Sequence, residues 1–185
     1  MPQQRRAQLT RRAILAAAAE EFDTTGYDGT TLNAVLRRSG ITKGAFYFHF
    51  PSKEAVAEEL VAHYRQRLAG LRHRWSTPGD DALSVATGLT AELAAELERD
   101  VMTRAGMWLA HRRPEEVDAW RRSLAELLTS AVHGRLLRAD ADPAATARVV
   151  HAALLGACAM SVEGLADHVA EIWRVVLAGA KPARM

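Results

Sequence analysis

Between residues 6 and 22 the apolar positions Leu9, Ala13, Ile14, Ala17, Ala18 and Phe22 recur at three- and four-residue steps. That is the period of a helix with one buried stripe. The run Thr24-Thr25-Gly26-Tyr27-Asp28-Gly29 ends it, with Gly26 placed as a C-terminal cap, because glycine enters the left-handed region without steric cost. Thr30 or Thr31 then caps a short second helix in which Leu32, Val35 and Leu36 share a face. Ser39-Gly40-Ile41 forms a tight turn, and Thr42 caps a third short helix from Lys43 to Phe48. After Pro51 the pattern restarts at Ser52 and predicts a long helix to about Trp75 on Val56, Leu60, Tyr64, Leu68 and Leu71. Ser76-Thr77-Pro78-Gly79-Asp80 is the clearest interior boundary. Beyond it the spacing predicts helices over about 81–99, 101–112, 114–138, 142–163 and 165–179. Pro114 and Pro143 suit first helical turns, and Asp142 is a cap for the second of these.

Composition agrees with this pattern. The 185 residues include 36 Ala and 21 Leu against 18 Gly and Pro together, which favours helix, and no strand-like run appears. The expected fold class is all-α. The single cysteine, Cys158, excludes an internal disulfide framework and a Cys-rich zinc module. No apolar core of the signal-peptide kind opens the chain, and the longest uncharged apolar stretch, Val149 to Val162, is too short to span a bilayer. The expectation is a cytoplasmic protein without a membrane role.

The formal net charge is +2, but its distribution is uneven. Residues 1–75 carry 12 Lys and Arg against 7 Asp and Glu, and the remainder carries 12 against 15. A basic N-terminal third fits either a polyanionic partner or a set of solvated helix faces.

Residues 31–48 have the helix, three-residue turn, helix spacing of a helix-turn-helix. Val35, Leu36, Ile41 and Phe46 would be buried between the two helices, leaving Thr42, Lys43, Gly44, Tyr47 and His49 about the start and outer face of the second. Hydrogen-bond donors, a bare backbone and an aromatic hydroxyl suit phosphate oxygens and base edges. The competing reading makes Thr42-Lys43-Gly44 a capped helix start and the following aromatics a core plug. Phe46 and Phe50, four apart, fit a core, whereas Phe48 fits either reading.

The segment Thr31-Leu32, then Ser39-Gly40-Ile41-Thr42-Lys43-Gly44-Ala45-Phe46-Tyr47-Phe48-His49-Phe50, then Lys53-Glu54, resembles the signature of the TetR family of transcriptional repressors. The preceding helix ending at Phe22, with Gly26-Tyr27 and Thr30-Thr31, fits the same family. The resemblance implies a helix-turn-helix DNA-binding domain over 1–53 and a helical ligand-binding and dimerisation domain over 54–185. It implies a homodimer on a palindromic double-stranded operator, with Thr31, Tyr47, His49 and Lys53 on phosphates and Thr42, Lys43 and Gly44 in the major groove. Arg5, Arg6, Arg11 and Arg12 would be a basic arm or a solvated helix end.

For the dimer, Val149, Ala153, Gly156 and Ala157 line one helix face, and Val169, Ile172, Trp173, Val176 and Ala180 another. Two such helices per subunit would form a four-helix interface. Arg104-Ala105-Gly106, Pro114 and Trp120-Arg121 are similar to the γ-butyrolactone autoregulator receptors of actinomycetes, in which the equivalent tryptophan lies against the signal. The chain departs from that subgroup in being shorter at its C-terminal end and in having Trp108 where Arg is more usual. Helix position adds Leu83, Met102, Thr103, Met107, Leu124 and Met160 as pocket liners beside Trp120.

Enzyme chemistry finds no support: there is no nucleophile elbow, P-loop or dinucleotide fingerprint. The seven histidines are never three or four apart, so no helical metal pair exists and no cofactor is implied. The expected protein is a repressor released by a small apolar or amphipathic molecule, a γ-butyrolactone-like signal among the candidates. The alternatives are a regulator of an efflux or resistance gene responding to an antibiotic or lipophilic compound, and a helical protein-interaction module.

Overall fold

The computed structural model describes residues 2–75 and 79–180, so Ser76, Thr77 and Pro78 of the expected boundary lie outside the described residues. Among the described residues the chain forms nine helices: α1 (Pro2–Gly29), α2 (Leu32–Ser39), α3 (Lys43–His49), α4 (Lys53–Arg74), α5 (Ala82–Arg99), α6 (Val101–Ala110), α7 (Pro114–His133), α8 (Pro143–Met160) and α9 (Leu165–Ala180). The fold is all-α, as the apolar period and the composition anticipate.

Two details differ from the expected boundaries. At Gly26 (φ 72°, ψ 164°) α1 is broken, so the glycine does end the first stretch, and one further turn follows it. Helix α7 stops at His133 rather than near residue 138. Gly134 donates its N–H to the Ser130 carbonyl at 2.9 Å, and Arg135 takes a left-handed φ of 59°. Leu136 and Leu137 keep the helical period on paper, but Leu137 is buried as part of the turn.

The chain divides into two compact units, residues 1–67 with 100–112 and residues 68–99 with 113–185. This differs from the division at 53/54, since the first two thirds of α4 and all of α6 group with the helix-turn-helix segment. The first unit is built on Ile14, Phe22, Val35, Phe46, Phe50 and Leu60, all nearly or fully buried. Helix α6 presses on α4 at Gly106, where a Cβ would lie 2.2 Å from the Leu60 carbonyl oxygen and 2.8 Å from the Tyr64 Cβ. On its other side the guanidinium of Arg104, 8% exposed, holds the Asp23 carboxylate of α1 at 2.8–3.1 Å. Asp100 caps α6, accepting from the Met102 amide at 3.0 Å, the Thr103 hydroxyl at 2.6 Å and His63 Nε2 at 2.8 Å. Partial burial works against its charge, but these hydrogen bonds prevail and hold its carboxyl below the usual aspartate range.

The second unit packs α5 against α7 and α9, and α8 against α7 and α9. Leu93, Leu97, Leu124, Leu128 and Leu154 fill its centre. The buried Trp173 of α9 donates its indole N–H to the Thr90 hydroxyl of α5 at 2.6 Å. Trp75 lies flat on Gly88, whose missing side chain makes the room, and its indole N–H reaches Glu92 at 2.7 Å. By length and composition α8 is the one helix among the described residues able to cross a membrane. Its Ala147, Val150, His151, Leu154 and Cys158 are instead buried in the bundle.

Adding one methyl at the α4–α6 crossing forces backbone apart. Gly106→Ala is expected to cost about 1–3 kcal/mol of stability, read as a lower urea midpoint with unchanged slope.

Candidate nucleic-acid interface and ligand cavity

Helix α2 starts at Thr31, whose side chain accepts the Ala34 amide at 3.2 Å. It ends at Gly40, which takes φ 67° and ψ 15° and so turns the chain sharply where a side chain would be strained. Helix α3 begins at Thr42, whose oxygen accepts the Ala45 amide at 3.2 Å. Val35 (2% exposed) and Phe46 (1%) pin the two helices from the inside, with Phe50 closing the corner. Thr42, Lys43, Gly44, Tyr47 and Phe48 are left exposed on the other side. A Cβ on Gly44 would meet nothing within 4 Å. Thus the structure brings Thr42, Lys43, Gly44 and Tyr47 to one solvent-facing surface, with Thr31 exposed at the start of α2 and His49 half-buried at its edge.

Lys53 has a different place from the one expected. Its ammonium donates to the carbonyls of Tyr27 and Thr30, each at 2.9 Å, and sits 4.2 Å from the centre of the Tyr27 ring. It fastens the end of α1 to the start of α4, with two of its three N–H groups engaged. Tyr27 also donates to Glu54 at 3.0 Å, and burial together with that carboxylate pushes its phenol up to about 12. Arg11 likewise turns inward, paired with Glu59 and with its guanidinium 4.5 Å from the centre of the Phe50 ring. Arg5, Arg6 and Arg12 are exposed along α1.

The expected pocket liners are distributed over both units. Trp120 and Leu124 are buried on α7 and Leu83 is half-buried on α5, all within the second unit. Met102, Thr103 and Met107 belong to the first unit, where the Thr103 hydroxyl is committed to capping α6. Met160 is not a liner of an interior pocket: it is 89% exposed on the outer side of α8. Helical period alone gives no phase at the last turn of a helix, and the apolar face of α8 continues outward there. Val169 and Trp173 depart in the opposite sense, being buried within the subunit rather than offered to a partner.

Sequence reasoning missed one of the cavities of the second unit. It lies among α4, α5 and α7, with a volume of about 400 Å³, and Arg72, Trp75, Val85, Leu89, Ser123 and Glu126 are among its walls. Trp120 does not line this cavity, but its ring centre lies 5.8 Å from the guanidinium of Arg72, which does. Arg72 and Trp75 fall outside the apolar stripe of α4, so the spacing of that helix carries no signal for them.

A short capped helix exposing donors and bare backbone, held from behind by phenylalanines, defines a helix-turn-helix DNA-binding regulator. Residues 14–60 match the model of the bacterial regulatory proteins of the tetR family. The chain is 32% identical to the A-factor receptor protein of Streptomyces griseus over 96% of its own length and 66%, just under two thirds, of that receptor's. The structure of CprB from Streptomyces coelicolor, in complex with its biological operator sequence, is similar at 29% identity and a TM-score of 0.87, covering 96% of this chain and 91% of that one. Full-length TylP, a TetR regulator from Streptomyces fradiae, is 32% identical with a TM-score of 0.65, covering 92% and 86%. The chain belongs to the TetR family. Its homologues are transcriptional regulators and receptors, not enzymes.

The two lysines of this region separate cleanly. Lys53→Met is expected to lower stability by about 1.5–3 kcal/mol through loss of its charged hydrogen bonds. Lys43→Met, on the exposed face, leaves the unfolding midpoint within about 0.5 kcal/mol of the parent; paired urea titrations measure both.

Proposed function

We propose that the protein is a homodimeric repressor that binds a palindromic operator through α3 and leaves it when a small amphipathic molecule enters the second unit. The observation that carries this reading is the outer face of α3: Lys43, Gly44 and Tyr47 point to solvent from a helix anchored by Phe46 and Phe50. Lys43 would take a guanine edge, Thr31, Tyr47 and His49 would hold phosphates, and Gly44 would admit the duplex backbone closely. Acting on DNA, such a protein works in the cytoplasm.

A dimer supplies two reading heads about 34 Å apart, one turn of duplex. The groove along α8 and α9 supports it, since Val149, Met160 and Val175 are 56%, 89% and 66% exposed there, beside Ala153, Gly156 and Ile172. A second copy laid on this face would bury a ready apolar stripe against small residues.

For the ligand, the cavity among α4, α5 and α7 offers an indole and aliphatic walls with Arg72, Ser123 and Glu126 as polar groups. An amphipathic molecule with a carbonyl acceptor suits it, and similarity to the A-factor receptor favours a γ-butyrolactone-like signal over an efflux inducer. Helix α4 runs from Lys53 to Arg74 without interruption, so a ligand displacing Arg72 acts on the helix that begins at the reading head. Turning occupancy from 99:1 to 1:99 needs a preference of about 5.5 kcal/mol for the released state. Whole-chain similarity to regulators favours this reading over a helical interaction module.

Gel retardation on the DNA upstream of the gene tests the proposal. Retardation is expected to weaken by orders of magnitude from 50 to 200 mM salt and to vanish with Lys43→Ala plus Tyr47→Ala while the dimer persists. Retardation surviving both changes would overturn the assignment. Culture extract or a synthetic γ-butyrolactone is expected to release the parent protein, and Trp120→Ala to blunt that release at least about tenfold in the concentration needed; an unchanged release curve removes the ligand assignment.

A further inference from the structure

We infer that Phe48 reads thymine methyl groups in the major groove and so sets part of the operator sequence, an assignment that rests on the DNA-binding role proposed above. Phe48 is 81% exposed, second only to Met160 among the large exposed apolar residues of the described chain. Met160, Val149 and Val175 share the α8–α9 groove, which gives them a use. Phe48 lies instead on α3, one helical turn beyond Gly44 and next to Tyr47, itself 48% exposed.

Three features make this ring a reader rather than a stray side chain. First, it has no role in the core: Phe46 and Phe50 occupy the inward face, and position 48, two residues from each, falls on the opposite side of the helix. Second, its ring stands edge-on to that of its half-buried neighbour His49, with centroids 5.1 Å apart and planes at 87°, which widens the aromatic surface offered at this end of α3. Third, the Gly44 surface one turn earlier is bare, with nothing within 4 Å of a Cβ built there, so the helix can settle closely enough for a ring at 48 to reach groove-floor groups.

What the floor offers an apolar ring is narrow. Among the edges of the four bases in the major groove, the C5 methyl of thymine is the one apolar group that projects into the groove; cytosine offers only a C5–H at that place, and the purines offer N7 with O6 or N6. A phenyl ring has no donor or acceptor, so it gains most from that methyl, loses the methyl's contact area at a cytosine, and faces polar edges at a purine. Phe48 therefore supplies discrimination for thymine that Lys43 and Tyr47, which reach hydrogen-bonding atoms, do not.

The test uses the full-length protein and an operator obtained by selection from random-sequence duplexes. Each thymine is replaced in turn by deoxyuridine, which removes the methyl alone and keeps pairing. Parent protein is expected to lose affinity about fourfold at one or more thymines in each half-site, the worth of a buried methyl group. Phe48→Ala, checked for an unchanged melting curve, is expected to bind more weakly and to be indifferent to deoxyuridine at those same positions. The inference is overturned if no thymine of the selected operator is methyl-sensitive, or if the same sensitivity persists in Phe48→Ala. Failure of the parent to select any sequence would instead strike the DNA-binding reading, and this assignment would fall with it.

Discussion

The absence of a side chain at Gly106 governs how the first unit is put together. With only a hydrogen there, α6 lies against the Leu60 carbonyl of α4 at a separation no other residue permits. That closeness sets the reach of Arg104 to Asp23 and of Asp100 to His63. Around this crossing the helix-turn-helix is supported from α1 and α4, not merely attached to them. A reading helix of seven residues has little stability of its own. Its orientation is borrowed from Phe46 and Phe50, and theirs from the packed body behind.

Much of this was legible in the sequence. The stripes that defined α1 through α4 hold most of the residues found buried, although Leu9 at the start of α1 is 61% exposed and Leu36 and Ile41 are only half-buried; Thr31, Gly40 and Thr42 proved to be the cap, turn and cap that their chemistry implies. Where periodicity failed, it failed for lack of phase. It could place Met160 on a helix but not say which way the last turn faces, and it carried α7 through Leu136 and Leu137 past a glycine that in fact ends it. The cavity among α4, α5 and α7 was illegible for another reason: its walls, Arg72 and Trp75 with Val85, Leu89 and Ser123, come together across helices, which no single-helix pattern records.

Lys53 shows a limit of transferring a role along a motif. Position and charge both favour a phosphate contact, yet two backbone carbonyls at the end of α1 and an aromatic face compete for the same ammonium at close range. Local acceptors need no diffusing partner and lose little entropy on engagement, so they win. Arg11 obeys the same logic with Glu59 and Phe50. Basic residues counted along a sequence therefore overstate the cations offered to a polyanion, whereas Lys43, carried on an exposed helix face, is the kind that counts.

The course of the chain has a consequence for recombination. Because α6 belongs with the N-terminal helices although it begins about fifty residues after α3 ends, the reading unit is not a contiguous stretch of gene. A crossover placed after α3 or inside α4 would graft one relative's head onto another's α6, mating Asp23 with an α6 it was not shaped for, and Leu60 too where the cut falls beyond it. Exchange of operator preference between such regulators thus proceeds more readily by point changes on the outer face of α3 than by shuffling whole modules.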